Sequence, residues 1–324
     1  MKIIKVFLVL FICIFFCGLT HNAFAQKYPT KPIRVIVPFT AGGSNDLVAR
    51  SLQKPLGKAL GGTIVVENLP GASTRLATLE LMKAAPDGYT LMHIGHVALM
   101  GYYYSGTYDS KVWEKMTLIA QNGDTAYGIL DVRADSPFKT WGDLVSFAKK
   151  NPGKLAAGGP AAGGVLNLII IETAKAAGID VKYVPFAGAN GGTGTALLGG
   201  HIDYRVASGP DAYPNIKAGR TRGLAVSYNE RLPGMPDVPT FKELGLPEYP
   251  NVAFAYWGPA NMPANLINQI SKAVEQAVKD PDYIEFGKRM AWQPVFKDAQ
   301  MLKEEMKSFE EIMGPRLKAA YPKK

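Results

Sequence analysis

The sequence predicts an α/β protein of two lobes, each a mainly parallel sheet covered by helices, joined by a hinge of two chain crossings. Three observations carry this. Short β-branched runs alternate with amphipathic stretches through most of the chain, the pattern of a parallel sheet wrapped on both faces. The alternation falls into two series, with a break near residues 121–125. A further strand-like run at 221–227 leads out of the second series, and the chain closes with two amphipathic stretches whose outer faces are charged.

In the first series IRVIVPF (33–39), TIVVEN (63–68) and YTLMHI (89–94) are short, apolar and β-branched, and read as strands. Between them DLVARSLQKPLGKAL and LATLELMKAAP space apolar residues three and four apart, as a helix with one buried face requires. The second series sets YGILDV (127–132), KLAAG, VKYVPF (181–186) and IDYRVAS against helices at 140–153, 164–178 and 191–198. PANLINQISKAVEQAVKD and DAQMLKEEMKSFEEIMGPRLKAA form the closing helices. The chain is expected to return to its first lobe near 226–230, placing residues 26–122 and 228–324 in lobe 1 and 123–227 in lobe 2.

The first 25 residues stand apart. A basic start, an apolar run at 6–19 and small residues in AFA (23–25) make a secretory signal cleaved after Ala25. That run is short against the roughly 20 residues of a spanning helix. Both cysteines of the chain, Cys13 and Cys17, lie inside it, so the mature protein is expected to have no disulfide, reactive thiol or cysteine-held metal. The net charge of +9 is scattered rather than gathered in a stripe, which argues against nucleic acid as a partner. His93 and His96 lie three residues apart, but no cysteine or acid completes a metal set. His201 is far from any serine motif and there is no nucleophile elbow. No catalytic residue, metal or cofactor is therefore expected.

Ligands of a parallel sheet gather where strands end and helices begin, because helix N-termini present unpaired N–H groups and a positive dipole end. PFTAGGSND (38–46) is such a place: Gly42 and Gly43 admit close approach, Thr40 and Ser44 add hydroxyl donors, and Ser44 or Asn45 can cap the helix. It has neither the three-glycine dinucleotide fingerprint nor a phosphate-loop lysine. The second series repeats the arrangement in GGPAAGGVLN (158–167), FAGANGGTGTALLGG (186–200) and VASGPDAYPNIKAG, where Ser208 and Gly209 precede a helix start. Several N-termini facing one cleft would trap an anion.

Taken together, YPTKPIRVIVPFTAGGSNDLVAR, VENLPGAS, AAPDGYTLM, VPFAGANGGTGTALLGGHIDY, PNIKAGRTRGLAVS and MPDVPTFKELGL resemble, in order and spacing, the periplasmic substrate-binding receptors of tripartite tricarboxylate transporters, the Bug receptors. The resemblance spans residues 28–318. It implies a type II periplasmic binding protein fold and a small organic carboxylate, di-, tri- or aromatic, held between the lobes and passed to membrane permease subunits by a monomeric receptor. Carried over residue by residue, it points to Phe39, Thr40, Ala41, Gly42, Gly43 and Asp46 in lobe 1, with Asp46 organising the turn because a carboxylate repels a carboxylate. In lobe 2 it points to Gly159, Ala161, Ala162, Gly163, Gly164, Ala189 and Asn190. Ser44, Ser208 and Asp211 join them from the loop reading. The chain departs from the family where PGASTRLA puts Arg75 near a helix start and where HIGHVALMGYYY replaces small hydroxyl residues. Arg75 is a candidate for a second ligand carboxylate, against an exposed surface arginine. His96 is a candidate cleft wall, against a structural histidine. Tyr102, Tyr103 and Tyr104 either cover the ligand or cap a core edge from a surface loop, Arg205 either reaches the cleft or pairs with Asp203 or Asp211, and Trp257 packs between lobes. A receptor that presents its ligand to a signalling protein is the alternative to transport.

Overall fold

The computed structural model describes residues 28–125, 128–160, 164–186 and 191–322. The chain divides into two compact units, Met1–Thr30 and Lys31–Lys324. Of the first, residues 28–30 are described and carry no helix or strand; the expected signal and its cleavage point lie outside the described residues. All elements below belong to the second unit.

From the start of that unit, β1 (Ile33–Val37), α1 (Ser44–Leu60), β2 (Ile64–Asn68), α2 (Arg75–Lys83), β3 (Thr90–Ile94) and α3 (His96–Tyr104) alternate, followed by β4 (Met116–Thr125). The second series is β5 (Ile129–Arg133), α4 (Trp141–Lys150), β6 (Leu155–Pro160), α5 (Val165–Ala177), β7 (Val181–Phe186), α6 (Gly191–Leu198), β8 (Tyr204–Ala207), α7 (Gly209–Lys217) and β9 (Thr221–Val226). The chain then supplies β10 (Val252–Pro259), α8 (Ala264–Ala277), α9 (Pro281–Met290), β11 (Lys297–Asp298) and α10 (Ala299–Ala320). Two sheets result, ordered β11-β4-β10-β3-β1-β2 and β7-β6-β8-β5-β9.

Both sheets are mixed rather than mainly parallel. β1 runs parallel to β2 and β3, and β6 parallel to β7 and β8, as helical crossovers require. β10 is antiparallel to β3 and β4, and β5 to β8 and β9. These are the strands at which the chain passes between sheets, so they enter from the opposite end. Every residue of β10 is buried, and its run VAFAYWGP therefore shows no alternation to mark it as a strand.

After β9 the chain stays with the second sheet longer than expected. Phe241 N–H donates to Val226 O at 2.9 Å, and Leu232 and Met235 pack on Ile129, Ala207 and Val226. Burying those two side chains keeps the segment there, and the first sheet is re-entered only at Val252. Tyr102, Tyr103 and Tyr104 lie on helix α3 rather than on a surface loop, with Tyr102 and Tyr104 buried. Trp257 belongs to the first sheet's core, its Nε1 donating to Ile94 O at 3.1 Å. α1 closes on Gly61 at φ 70°, a left-handed cap that suits glycine.

Candidate functional site

The turn between β1 and α1 is held from within its own lobe. Gly42 sits at φ +81° with nothing within 4 Å of where a Cβ would be, and its N–H donates to Asp46 Oδ2 at 2.9 Å. Asn68 Nδ2 donates to Asp46 Oδ1 at 2.9 Å and to Phe39 O at 3.0 Å, and Arg50 Nε donates to Asp46 Oδ1 at 2.8 Å. Asp46 is thus spent on fixing the loop, and the loop presents the first N–H groups of α1 outward.

Those groups meet the second lobe. Ser44 N–H donates to Asp211 Oδ1 at 3.1 Å, Ser44 Oγ donates to Asp211 Oδ2, and Ser208 Oγ donates to the same oxygen at 3.0 Å. Ser208 is the N-cap of α7. Two helix N-termini therefore face each other with one carboxylate between them, the arrangement in which the positive ends of both macrodipoles favour an anion.

Beside this contact lies a cavity of about 110 Å³. Phe39, Thr40, Gly43, Ser44 and Asn45 line it from the β1–α1 turn, and Gly95, Val97, Ala98 and Tyr102 from the start of α3. Pro160, Gly164, Val165 and Leu166 come from the β6–α5 turn, Ser208 and Asp211 from α7, and Val252 and Phe254 from β10. The lining is mostly apolar, its polar groups gather at the α1 and α7 N-termini, and among the described residues it contains no lysine, arginine or histidine. Beneath it, buried His93 has Nδ1 2.8 Å from Asn45 Oδ1 and Nε2 3.0 Å from Asn122 Oδ1. Burial pushes this imidazole down to about 4, so it is neutral. The remaining amide atom of Asn45 is buried and has no partner among the described residues.

Of the candidates from sequence, Phe39, Thr40, Gly43, Ser44, Tyr102, Gly164, Ser208 and Asp211 line the cavity. Ala41, Gly42 and Asp46 build the turn without lining it. Gly159 lies on β6 under Tyr183, whose Oη is 2.6 Å from where a Cβ would stand. Arg75 opens α2 with its side chain half-exposed and Nη2 3.7 Å from Asp109, so the structure does not bring it to the cavity. His96 is buried with its ring edge-on to Phe309 at 5.8 Å, and it faces a separate hollow shared with Asp124 and Lys297. Burial, with Lys297 nearby, pushes it down to about 3. Ala161, Ala162, Gly163, Ala189 and Asn190 lie outside the described residues. Arg205 finds its partner in Asp131: its Nε donates to Asp131 Oδ1 at 2.9 Å, both side chains buried, and its Nη2 donates to the backbone O of Asp211 at 3.1 Å. Among the described residues no group of His, Cys, Asp and Glu could hold a metal ion.

Sequence reasoning missed Asn45, Gly95, Val97, Ala98, Pro160, Val165, Leu166, Val252 and Phe254 as lining residues. Asn45 sits inside the glycine-turn motif and could have been found there. The apolar residues carry no signal that separates a cleft wall from a core.

Comparison with known proteins agrees with this architecture. Residues 48–313 match the family described as Tripartite tricarboxylate transporter family receptor. A UPF0065 protein from the gbd 5' region of Cupriavidus necator is 33% identical over 283 residues, covering 86% of this chain and 84% of that one. The solved structure of periplasmic binding protein BugD superposes with a TM-score of 0.81 at 26% identity, covering 90% of this chain and 98% of that one. MatC from Rhodopseudomonas palustris with bound malate superposes with a TM-score of 0.78 at 25% identity, covering 88% and 99%. The chain has the α/β fold of periplasmic binding proteins and belongs to the tripartite tricarboxylate transporter family of solute-binding receptors.

Proposed function

We propose that this protein is exported, captures a small organic carboxylate between its lobes and delivers it to a membrane permease. The observation that carries the reading is the meeting of the α1 and α7 N-termini across one small, mostly apolar cavity, with a carboxylate already seated on Ser44 N–H. A ligand carboxylate entering this place would find the same donors. Malate bound in MatC, at similar fold and 25% identity, supports a ligand of this class. The lobes are residues 26–122 with 228–324, and 123–227, with residues 232–241 of the first reaching onto the second sheet; closure would remove the anion from water and create the surface the permease reads. The receptor works as a monomer without metal or cofactor and catalyses no reaction, and the mature chain begins at Gln26.

A thermal-shift screen of mono-, di- and tricarboxylates, aromatic carboxylates, amino acids and neutral sugars tests the reading. A ligand that binds only the folded state raises stability by about 2.7 kcal/mol at a hundredfold excess over its Kd. A carboxylate should shift the melting point; a shift with sugars alone would contradict the proposal. Intact mass of the exported protein checks the start at Gln26.

A further inference from the structure

A chain of buried hydrogen bonds sets which atom Asn45 has free at the cleft. It starts at a bulge in β4. Across the ladder with β10, Phe254 faces Gly123 and Ala255 faces Gln121, which leaves Asn122 without a partner residue. Its carbonyl is taken instead by Tyr283 Oη, which donates its one proton there at 3.0 Å. Trp292 Nε1 donates to the same Oη at 2.8 Å. The oxygen therefore has only a lone pair left for the Asn122 side chain, 2.9 Å away, and the group facing it is Nδ2. Asn122 Oδ1 then points to His93 Nε2 at 3.0 Å, so Nε2 carries the proton of the neutral imidazole and Nδ1 is a bare lone pair. Asn45, 2.8 Å from that nitrogen, meets it with Nδ2, because two acceptors repel and amide orientation follows the network. The amide atom of Asn45 without a partner among the described residues is consequently Oδ1, an acceptor, on a side chain buried at the cleft wall.

A buried acceptor left unpaired is costly, so a ligand that donates to it is favoured over one that does not. An ammonium is a poor donor here. It brings a charge and three protons, whereas the lining is mostly apolar and the Asp211 carboxylate is already engaged by Ser44 and Ser208. A hydroxyl brings one proton and no charge. We infer that Asn45 is a specificity-determining residue that selects a hydroxylated carboxylate, accepting the ligand hydroxyl at Oδ1, with His93, Asn122 and Tyr283 as positioning residues that hold its amide in that orientation. This rests on the reading of the cleft as a carboxylate site, and not on which donors take the carboxylate.

Matched ligand pairs test it. Calorimetry on the wild-type protein would compare lactate, 2-hydroxybutanoate, 3-phenyllactate, malate and citrate with propanoate, butanoate, 3-phenylpropanoate, succinate and propane-1,2,3-tricarboxylate. Each partner keeps the skeleton and carboxylates and lacks only the hydroxyl, and the chiral acids are taken as both enantiomers. The tightest hydroxy acid should bind about 10- to 100-fold tighter than its partner. In Asn45→Ala that ratio should shrink to within about threefold, since the acceptor is gone. The positioning residues have a readout of their own: in nitrogen-15 spectra of the ligand-free protein, with the His93 ring assigned through its bonds to the backbone, Nε2 should resonate as the protonated nitrogen and Nδ1 as the bare one. That measurement decides the amide's orientation even if Asn45→Ala fails to fold. A proton on Nδ1 would leave Asn45 with a donor at the cleft and overturn the proposal, and so would an unchanged ratio in folded Asn45→Ala. Deoxy acids binding as tightly as their hydroxy partners would overturn it while leaving the carboxylate site standing. Binding of none of these acids would remove both.

Discussion

Asp46 accepts hydrogen bonds from Gly42, Asn68 and Arg50, all on its own lobe, whereas Asp211 reaches Ser44 from the other sheet. Identical side chains serve as scaffold and as site because of what faces them. Asp46→Ala would leave the Gly42 N–H and Asn68 Nδ2 without this acceptor and should cost about 1.5–3 kcal/mol, the range for hydrogen bonds to a charged group; denaturant unfolding of the ligand-free protein checks it. Asp131→Ala is a harsher change, because it strands the buried Arg205 guanidinium. A loss of about 3–5 kcal/mol is expected from breaking such a pair, and replacing both partners with apolar residues should cost less. Asp46 was legible as a turn organiser, since a carboxylate in that motif would repel a ligand carboxylate rather than hold it. The partner of Arg205 was not: Asp131 is 74 residues away, and pairing across β5 and β8 depends on a strand order that local pattern does not encode.

The elements around the hinge put three titrating groups close together: His93 on β3, His96 opening α3 and Asp124 on β4. Burial holds the two histidines at about 4 and about 3, below their ordinary 6.5. Below pH 6.5 the unfolded chain takes protons that the folded protein refuses, so stability falls as pH drops toward 4. Asp124 has the opposite sign. Burial raises it from 3.8 to about 6, so below pH 6 the folded state binds its proton first and gains. Two histidine shifts outweigh one aspartate shift, and the melting temperature should fall from pH 7 to pH 4. Asp124→Asn removes a buried charge that exists mainly above pH 6, so any gain in melting temperature should be larger at pH 8 than at pH 5; an equal gain at both would place the carboxylate outside this account. The amphipathic helices and the β-branched strands of both series were legible from their periods. α3 and β10 were not, because HVALMGYYY and VAFAYWGP are apolar on nearly every side and burial erases the periodicity that marks an element.

At the scale of the whole molecule, the parts carrying the two sheets touch at more than one place. Ser44 meets Asp211 and Ser208, and Glu172 on α5 is gripped by Arg316 of α10 and by Tyr249 Oη at 2.6 Å. Glu172→Gln should loosen the second contact, and small-angle scattering of the ligand-free variant should show a larger radius of gyration than the wild type. The central claim is narrower than closure: a ligand carboxylate sits where Gly43 and Ser44 present the N-terminus of α1. Gly43 has an ordinary negative φ of −81° and only Thr40 O, at 3.6 Å, near where a Cβ would stand, so a side chain there fits the turn and projects into the ligand's space. Calorimetric titration of Gly43→Val beside the wild type, with whichever carboxylate the screen identifies, tests this directly. The account predicts an unchanged melting temperature without ligand and binding weakened by at least about a hundredfold, some 2.7 kcal/mol. Wild-type affinity in the folded Gly43→Val protein would contradict it and move the carboxylate away from the glycine turn.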